Sequence, residues 1–173
     1  MPDGFLVTAS CLVYDEKTIM IGNSVGSVYF CSINDQKFIK SGLHYSDIIR
    51  SIGALLKLVK DPKENPIFKP LVKNADTNCD YSVVSIHPHP YIKFRILIAY
   101  ANNLVVLYNF EKEGIDAVFD VFSAYNEKLL DPLEPLTVES NKSVIMEAKF
   151  SIDSFKIMIA LFTGNVMVFA YGT

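Results

Sequence analysis

Residues 18–33 read TIMIGNSVGSVYFCSI, residues 95–110 read RILIAYANNLVVLYNF, and residues 156–171 read KIMIALFTGNVMVFAY. The three stretches align without gaps. Each opens on a polar residue and a short apolar run: Ile19-Met20-Ile21, Ile96-Leu97-Ile98 and Ile157-Met158-Ile159. A small residue follows in register, Gly22, Ala99 or Ala160. The turn after it reaches Gly26, Asn103 or Gly164, residue types that accept a positive φ in a tight hairpin. A second run, rich in β-branched and aromatic residues, closes each copy.

The flanking residues repeat as well. LVTASCLVYDEK, YSVVSIHPHPYIKF and SVIMEAKFSIDSF each give a strand and a polar turn ahead of a hairpin. A fourth strand is expected after the first two copies, near residues 37–41 and 117–122. A strand–turn–strand–turn–strand unit with a fourth strand is a propeller blade. An ordinary antiparallel sandwich alternates its strands but does not repeat one long pattern three times with small residues in register. The expected fold is therefore all-β, a partial WD-repeat-like β-propeller of about three four-stranded blades, the last incomplete.

Thr18, Arg95 and Lys156 stand 77 and 61 residues apart, against about 40–45 for a bare blade. Both connections must carry insertions. The expected organisation is one propeller-like region over residues 1–173: a blade at 5–41, an insertion with a helix at 42–80, a blade at 81–122, a loop at 123–143 and an incomplete blade at 144–173. In the first insertion Ser46 is read as a helix cap. Ile48, Ile49, Ile52, Leu55, Leu56 and Val59 form an apolar stripe, and Asp61-Pro62 ends the helix. Arg50, Lys57 and Lys60 make its polar face locally basic and are the candidate partner contacts. The bland reading of that face is a solvated one on a helix packed against its own domain.

The 173 residues are half apolar and a fifth charged, with a formal net charge of −3. That suits a folded core and offers no basic stripe for nucleic acid. No apolar run approaches the roughly 20 residues of a membrane helix, and the first residues lack the form of a signal peptide. A cytoplasmic location is expected. Cys11, Cys31 and Cys79 make neither a disulfide framework nor a zinc site. Cys11 and Cys31 are expected to act as small core hydrophobes.

No catalytic constellation emerges, and no cofactor or metal site is expected. His87 and His89 flank Pro88 in an HPHP run read as a rigid blade turn, and two ligands do not hold a metal alone. His44 stands by itself. Gly22 and Gly26 frame GNSVG inside a hairpin, with no helix behind it to hold a phosphate. Asp15, Glu16 and Asp153 fall in turns. A hydrolase using His87 or His89 is the weakest of three functional readings.

The segments GFLVTASCLVYDEKTIMIGNSVGSVYFCSI and VVSIHPHPYIKFRILIAYANNLVVLYNFEKE, with a long insertion between them, resemble the lethal giant larvae and tomosyn family. They look like neighbouring blades of that family's first propeller, and EAKFSIDSFKIMIALFTGNVMVFAYG is similar to a repeat opening its second. The chain departs from the family's wording at Asn102-Asn103, where the family has a Gly-containing hairpin, and at Tyr108, where Trp is common. The resemblance implies a partial or shortened member. It also implies a non-enzymatic scaffold that binds syntaxin-type SNARE proteins and regulates exocytosis or cell polarity, at the cell cortex or plasma membrane periphery and reaching the membrane through partners. The alternative is a generic WD-repeat adaptor in an unrelated complex. An arc of three blades also leaves open edges, which invite self-association.

Overall fold

A computed structural model describes residues 6–13, 17–58, 82–92, 94–121 and 145–171. Its strands are β1 (Val7–Leu12), β2 (Thr18–Asn23), β3 (Val28–Ser32), β4 (Lys37–Leu43), β5 (Val83–Pro88), β6 (Arg95–Tyr100), β7 (Leu104–Asn109), β8 (Gly114–Asp120), β9 (Ile145–Phe150), β10 (Lys156–Leu161) and β11 (Val166–Ala170). One helix, α1 (Tyr45–Leu58), follows β4. The strands form three antiparallel meanders: β1-β2-β3-β4, β5-β6-β7-β8 and β9-β10-β11. These are two four-stranded blades and one three-stranded blade, as the repeat predicted.

The repeated hairpins form as their turn residues require. Gly26, Asn103 and Gly164 have φ of 78°, 66° and 84°. Behind each turn the small residue pairs with a valine: Gly22 with Val28, Ala99 with Val105, Ala160 with Val166.

The blades pack as consecutive neighbours, with β1 beside β5 and β5 beside β9. One core lies between the first and second sheets. It holds Met20 and Val28 against Val83, Ile86, Ile96, Ile98 and Tyr100, with Ile48 of α1 joining it. A second core lies between the second and third sheets, where Leu97, Ala99, Val105 and Leu107 meet Ala148, Phe150, Ile157, Ile159 and Met167. The middle sheet is thus covered on both faces, which is why all of β7 is buried and its sequence reads as a continuous apolar run. In β10 the outer sheet shows the alternation of a half-covered strand.

Several expectations are corrected. The helix begins at Tyr45, and His44 occupies the capping position expected of Ser46. The His44 carbonyl accepts from the Asp47 and Ile48 amides at 2.9 and 3.3 Å. The Asp47 carboxylate accepts from the His44 N–H at 3.2 Å, which is the reciprocal half of a capping box. Ser46 is an exposed residue inside the helix. Ile49, counted in the apolar stripe, is 43% exposed. Strand β4 runs on to Leu43, into the segment read as insertion. The fourth strand of the second blade is Gly114–Asp120, earlier than expected. The Asn109 side chain closes a short turn by accepting from the amides of Glu111 and Lys112 at 2.9 and 3.2 Å, so the chain re-enters the sheet at once. Val59, Asp61-Pro62, Cys79 and the expected loop at 123–143 lie outside the described residues.

Cys11 packs against the first core, and burial pushes its thiol pKa up to about 12. Cys31 departs from expectation. Its pairing with Ile19 places it on the face of β3 opposite Phe30, away from that core.

Candidate protein-binding groove

Helix α1 is fixed to the second blade at its first residue. The Tyr45 hydroxyl accepts from Asn102 Nδ2 at 2.6 Å, and the Tyr45 ring meets Tyr100 edge-on at 5.0 Å. Asn102 also accepts from the Leu104 amide, so one side chain both shapes the hairpin and holds the helix. The helix then passes beside β8.

Between α1 and the β7–β8 turn lies a half-open groove of about 350 Å³. Leu43, Tyr108 and Phe110 give it an apolar floor, and Asp47, Arg50, Ser51 and Glu113 form its rim. The floor is rigid. Phe110 meets Tyr108 at 4.8 Å and Phe30 of the first blade at 4.7 Å, both near edge-on, a favoured aromatic geometry. Burial pushes the Tyr108 phenol up, and the Glu113 and Asp47 carboxylates push it further. It therefore stays neutral and able to donate a hydrogen bond at physiological pH. Glu113 sits on the rim with φ 50°, a left-handed conformation that is uncommon for a residue other than glycine.

Of the three predicted contacts, Arg50 lies on this rim, highly exposed, 3.3 Å from the Asp47 carboxylate. Lys57 falls within α1, and Lys60 lies outside the described residues. Sequence reasoning missed Leu43, Tyr108, Phe110 and Glu113. The signal was the aromatic pair two residues apart at the end of the second copy, but nothing local says that α1 returns beside it.

The HPHP run does different work from a simple turn. His87 and Pro88 end strand β5, pairing with Leu97 and Ile96. His89 is 1% exposed, and its Nδ1 accepts from the amides of Tyr91 and Ile92 at 3.2 and 3.0 Å. Its ring lies 4.8 Å from that of Phe150 in the third blade. The imidazole is thus a neutral cap for the β5–β6 turn, with the proton on Nε2. Among the described residues no three His, Cys, Asp or Glu side chains come together as metal ligands.

Both imidazoles titrate below the ordinary histidine value of 6.5. Burial is the main cause for each, helped by Arg95 at His89 and by Lys149 at His87. The folded state holds them neutral while the unfolded chain takes up protons below about pH 6.5. Their stabilising effect is therefore complete above that pH and is lost as pH falls towards the folded-state values. Urea midpoints are expected to be level above pH 7 and to drop between pH 7 and 5. His89→Gln keeps an acceptor for the turn and should flatten part of that slope. An unchanged slope would show that His89 does not titrate differently on folding.

Arg95 ties the second blade to the third. Its Nε lies 2.8 Å from the Asp116 carboxylate, and Nη1 donates to the Tyr171 hydroxyl at 3.1 Å.

These features define the class: consecutive blades of a β-propeller, packed face to face, with an aromatic-floored groove at the first junction. Among the described residues no helix is long and apolar enough to cross a membrane. No family model matches the chain, and no curated protein matches it. It is similar in structure to the β-propeller domain of Cps50 (Swd1) from Myceliophteria thermophila, with a TM-score of 0.53 and 10% identity. That alignment covers 99% of this chain and 37% of the other. The chain therefore spans little more than a third of the propeller protein it resembles, and at this identity the likeness is one of fold.

Proposed function

We propose that this chain is a protein-binding arc of a β-propeller scaffold, without catalysis, and that the groove beside α1 is its contact surface. The observation that carries this reading is the aromatic floor of Tyr108 and Phe110 beneath a rim bearing Arg50, Asp47 and Glu113. Rigid aromatics with a nearby arginine are the residues on which protein interfaces concentrate their binding energy. The ion pair that holds Arg50 is exposed and contributes little, under about 1 kcal/mol, so Arg50 is available to an acidic partner group at low cost.

In this reading residues 1–173 act as one unit of three blades, the first ending with β4 at Leu43 and the helix carried by the insertion that follows it. The resemblance to the lethal giant larvae and tomosyn family supplies the finer proposal, a syntaxin-type SNARE as partner and a role in exocytosis or polarity in the cytoplasm near the plasma membrane. Use of His89 as a hydrolytic base is disfavoured, because its Nδ1 is committed to two backbone amides.

Calorimetric titration with the cytoplasmic domain of a syntaxin-type SNARE tests both levels. Arg50→Glu and Tyr108→Ala are each expected to weaken binding by about tenfold or more, the loss typical of a central interface residue. Absence of binding by the native chain would remove the SNARE reading and leave the generic adaptor. Full affinity in both variants would remove the groove.

A further inference from the structure

The groove beside α1 carries charge of one prevailing sign. Among the described residues its rim sets two carboxylates, Asp47 and Glu113, against one guanidinium, Arg50. Both carboxylates act on the floor: the Tyr108 phenol is pushed up by burial first, then by Glu113 and then by Asp47. The floor itself is aromatic, from Tyr108 and Phe110. Aromatic surface beside negative charge favours a cation, through the negative face of the ring and through Coulomb attraction. An acidic side chain entering here would meet two like charges. An aliphatic one would strip water from both carboxylates and return no hydrogen bond.

Arg50 answers this charge only from outside. Its side chain is 80% exposed and lies 3.3 Å from Asp47 Oδ1, and a pair so exposed exchanges partners at little cost. Asp47 Oδ2 accepts from the His44 N–H, so the carboxylate keeps its place whichever cation it meets. Glu113 is fixed by its backbone. It has φ 50°, in a turn closed by the Asn109 side chain. Glycine would sit there without steric cost, yet the chain places a carboxylate at that point. The groove's volume of about 350 Å³ is near the lower end of the roughly 300–1,000 Å³ of small-ligand pockets. It admits a side chain rather than a packed helix.

We infer that the groove takes an arginine side chain of the partner, its guanidinium against Tyr108 and Phe110 and its charge met by Asp47 and Glu113. Arginine suits the site better than lysine. Its planar, weakly hydrated head stacks on aromatic rings and bonds a carboxylate through two parallel N–H groups. The inference rests on the groove being the contact surface and adds the chemistry of what enters it. Arg50, displaced from Asp47, is then the group that meets an acid on the partner.

Nuclear magnetic resonance of the 173-residue chain, titrated with N-acetyl-arginine amide, tests this. The probe is expected to shift the Tyr108 and Phe110 ring signals saturably, with an affinity on the order of millimolar, as suits one side chain. N-acetyl-citrulline amide keeps the shape without the charge and should bind about fivefold or more weakly. N-acetyl-lysine amide should fall between the two. Glu113→Gln should lose as much affinity for the arginine probe as the citrulline exchange does. Glu113→Gly should lose it too while raising the urea midpoint, because glycine relieves the positive φ, so one test variant is certain to be folded. Arg50→Ala should act in the opposite direction and tighten the probe about twofold or more, since it frees Asp47. An arginine amide that does not bind, a citrulline or lysine amide that binds as tightly, or folded Glu113 variants with full affinity would each overturn the inference. If Tyr108→Ala still weakens binding of the protein partner in that event, the groove stands and only its arginine is removed.

Discussion

Replacing Ser85 by alanine is expected to lower the unfolding free energy by about 3 kcal/mol, although it removes a single oxygen atom. The Ser85 hydroxyl donates to the Ala148 carbonyl at 3.0 Å and accepts from the Ala148 amide at 3.1 Å. Both bonds are buried and join inner strands of adjacent blades across 63 residues of sequence. Ala148 pairs with Ile159 on its other side, so the groups facing Ser85 have no ladder partner. Removing the hydroxyl leaves a buried donor and a buried acceptor unsatisfied, and each costs about 1–3 kcal/mol. Ser82 is the control: it lies on the same stretch, and its hydroxyl donates to the Ser24 carbonyl in a setting that is only part-buried. Ser82→Ala should cost about 1 kcal/mol or less. Urea denaturation with an unchanged m value separates the two cases. Equal losses in both variants would mean that the inner-strand bridge contributes nothing special.

Gly22→Val is expected to cost at least about 3 kcal/mol, at the upper end of overpacking effects. A Cβ at Gly22 would stand 2.5 Å from Val83 Cγ1, 2.6 Å from Val83 Cβ and 3.1 Å from Ile86 Cδ1. Val83 is fully buried, and its β-branched side chain has little rotamer freedom with which to yield. The clash can be relieved only by separating the first two blades, which opens the core around Met20 and Val28. A double-mutant cycle with Val83→Ala tests the mechanism. The pair should be more stable than the two single losses predict, with a coupling of about 1–3 kcal/mol. Strict additivity would place the cost of the Gly22 variant somewhere other than this contact.

Both positions mark the boundary between local and tertiary information. That Gly22, Ala99 and Ala160 share a register was visible in the repeat, but its reason was not. Gly22 has an ordinary φ, and its smallness is demanded by Val83, a residue of the next blade. Ser85 looks like any polar residue in a strand; only the approach of β9 makes its hydroxyl indispensable. His89 read as part of a stiff turn, and the turn is there, but its ring is held by Phe150 of another blade. Helix periodicity placed Arg50 on a polar helix face, and the structure puts it on the groove's rim. The groove was illegible at Tyr108, Phe110 and Glu113, which come to it through the packing of α1 beside β8.

The sequence by itself determined the three repeated hairpins and their positive-φ turns, because these depend on residue periodicity and on backbone sterics within a few residues. Only the tertiary structure decided which face of each blade meets the next, which side chains bridge them and where the helix starts. Those outcomes depend on contacts between residues tens of positions apart. A local pattern permits such contacts without specifying them.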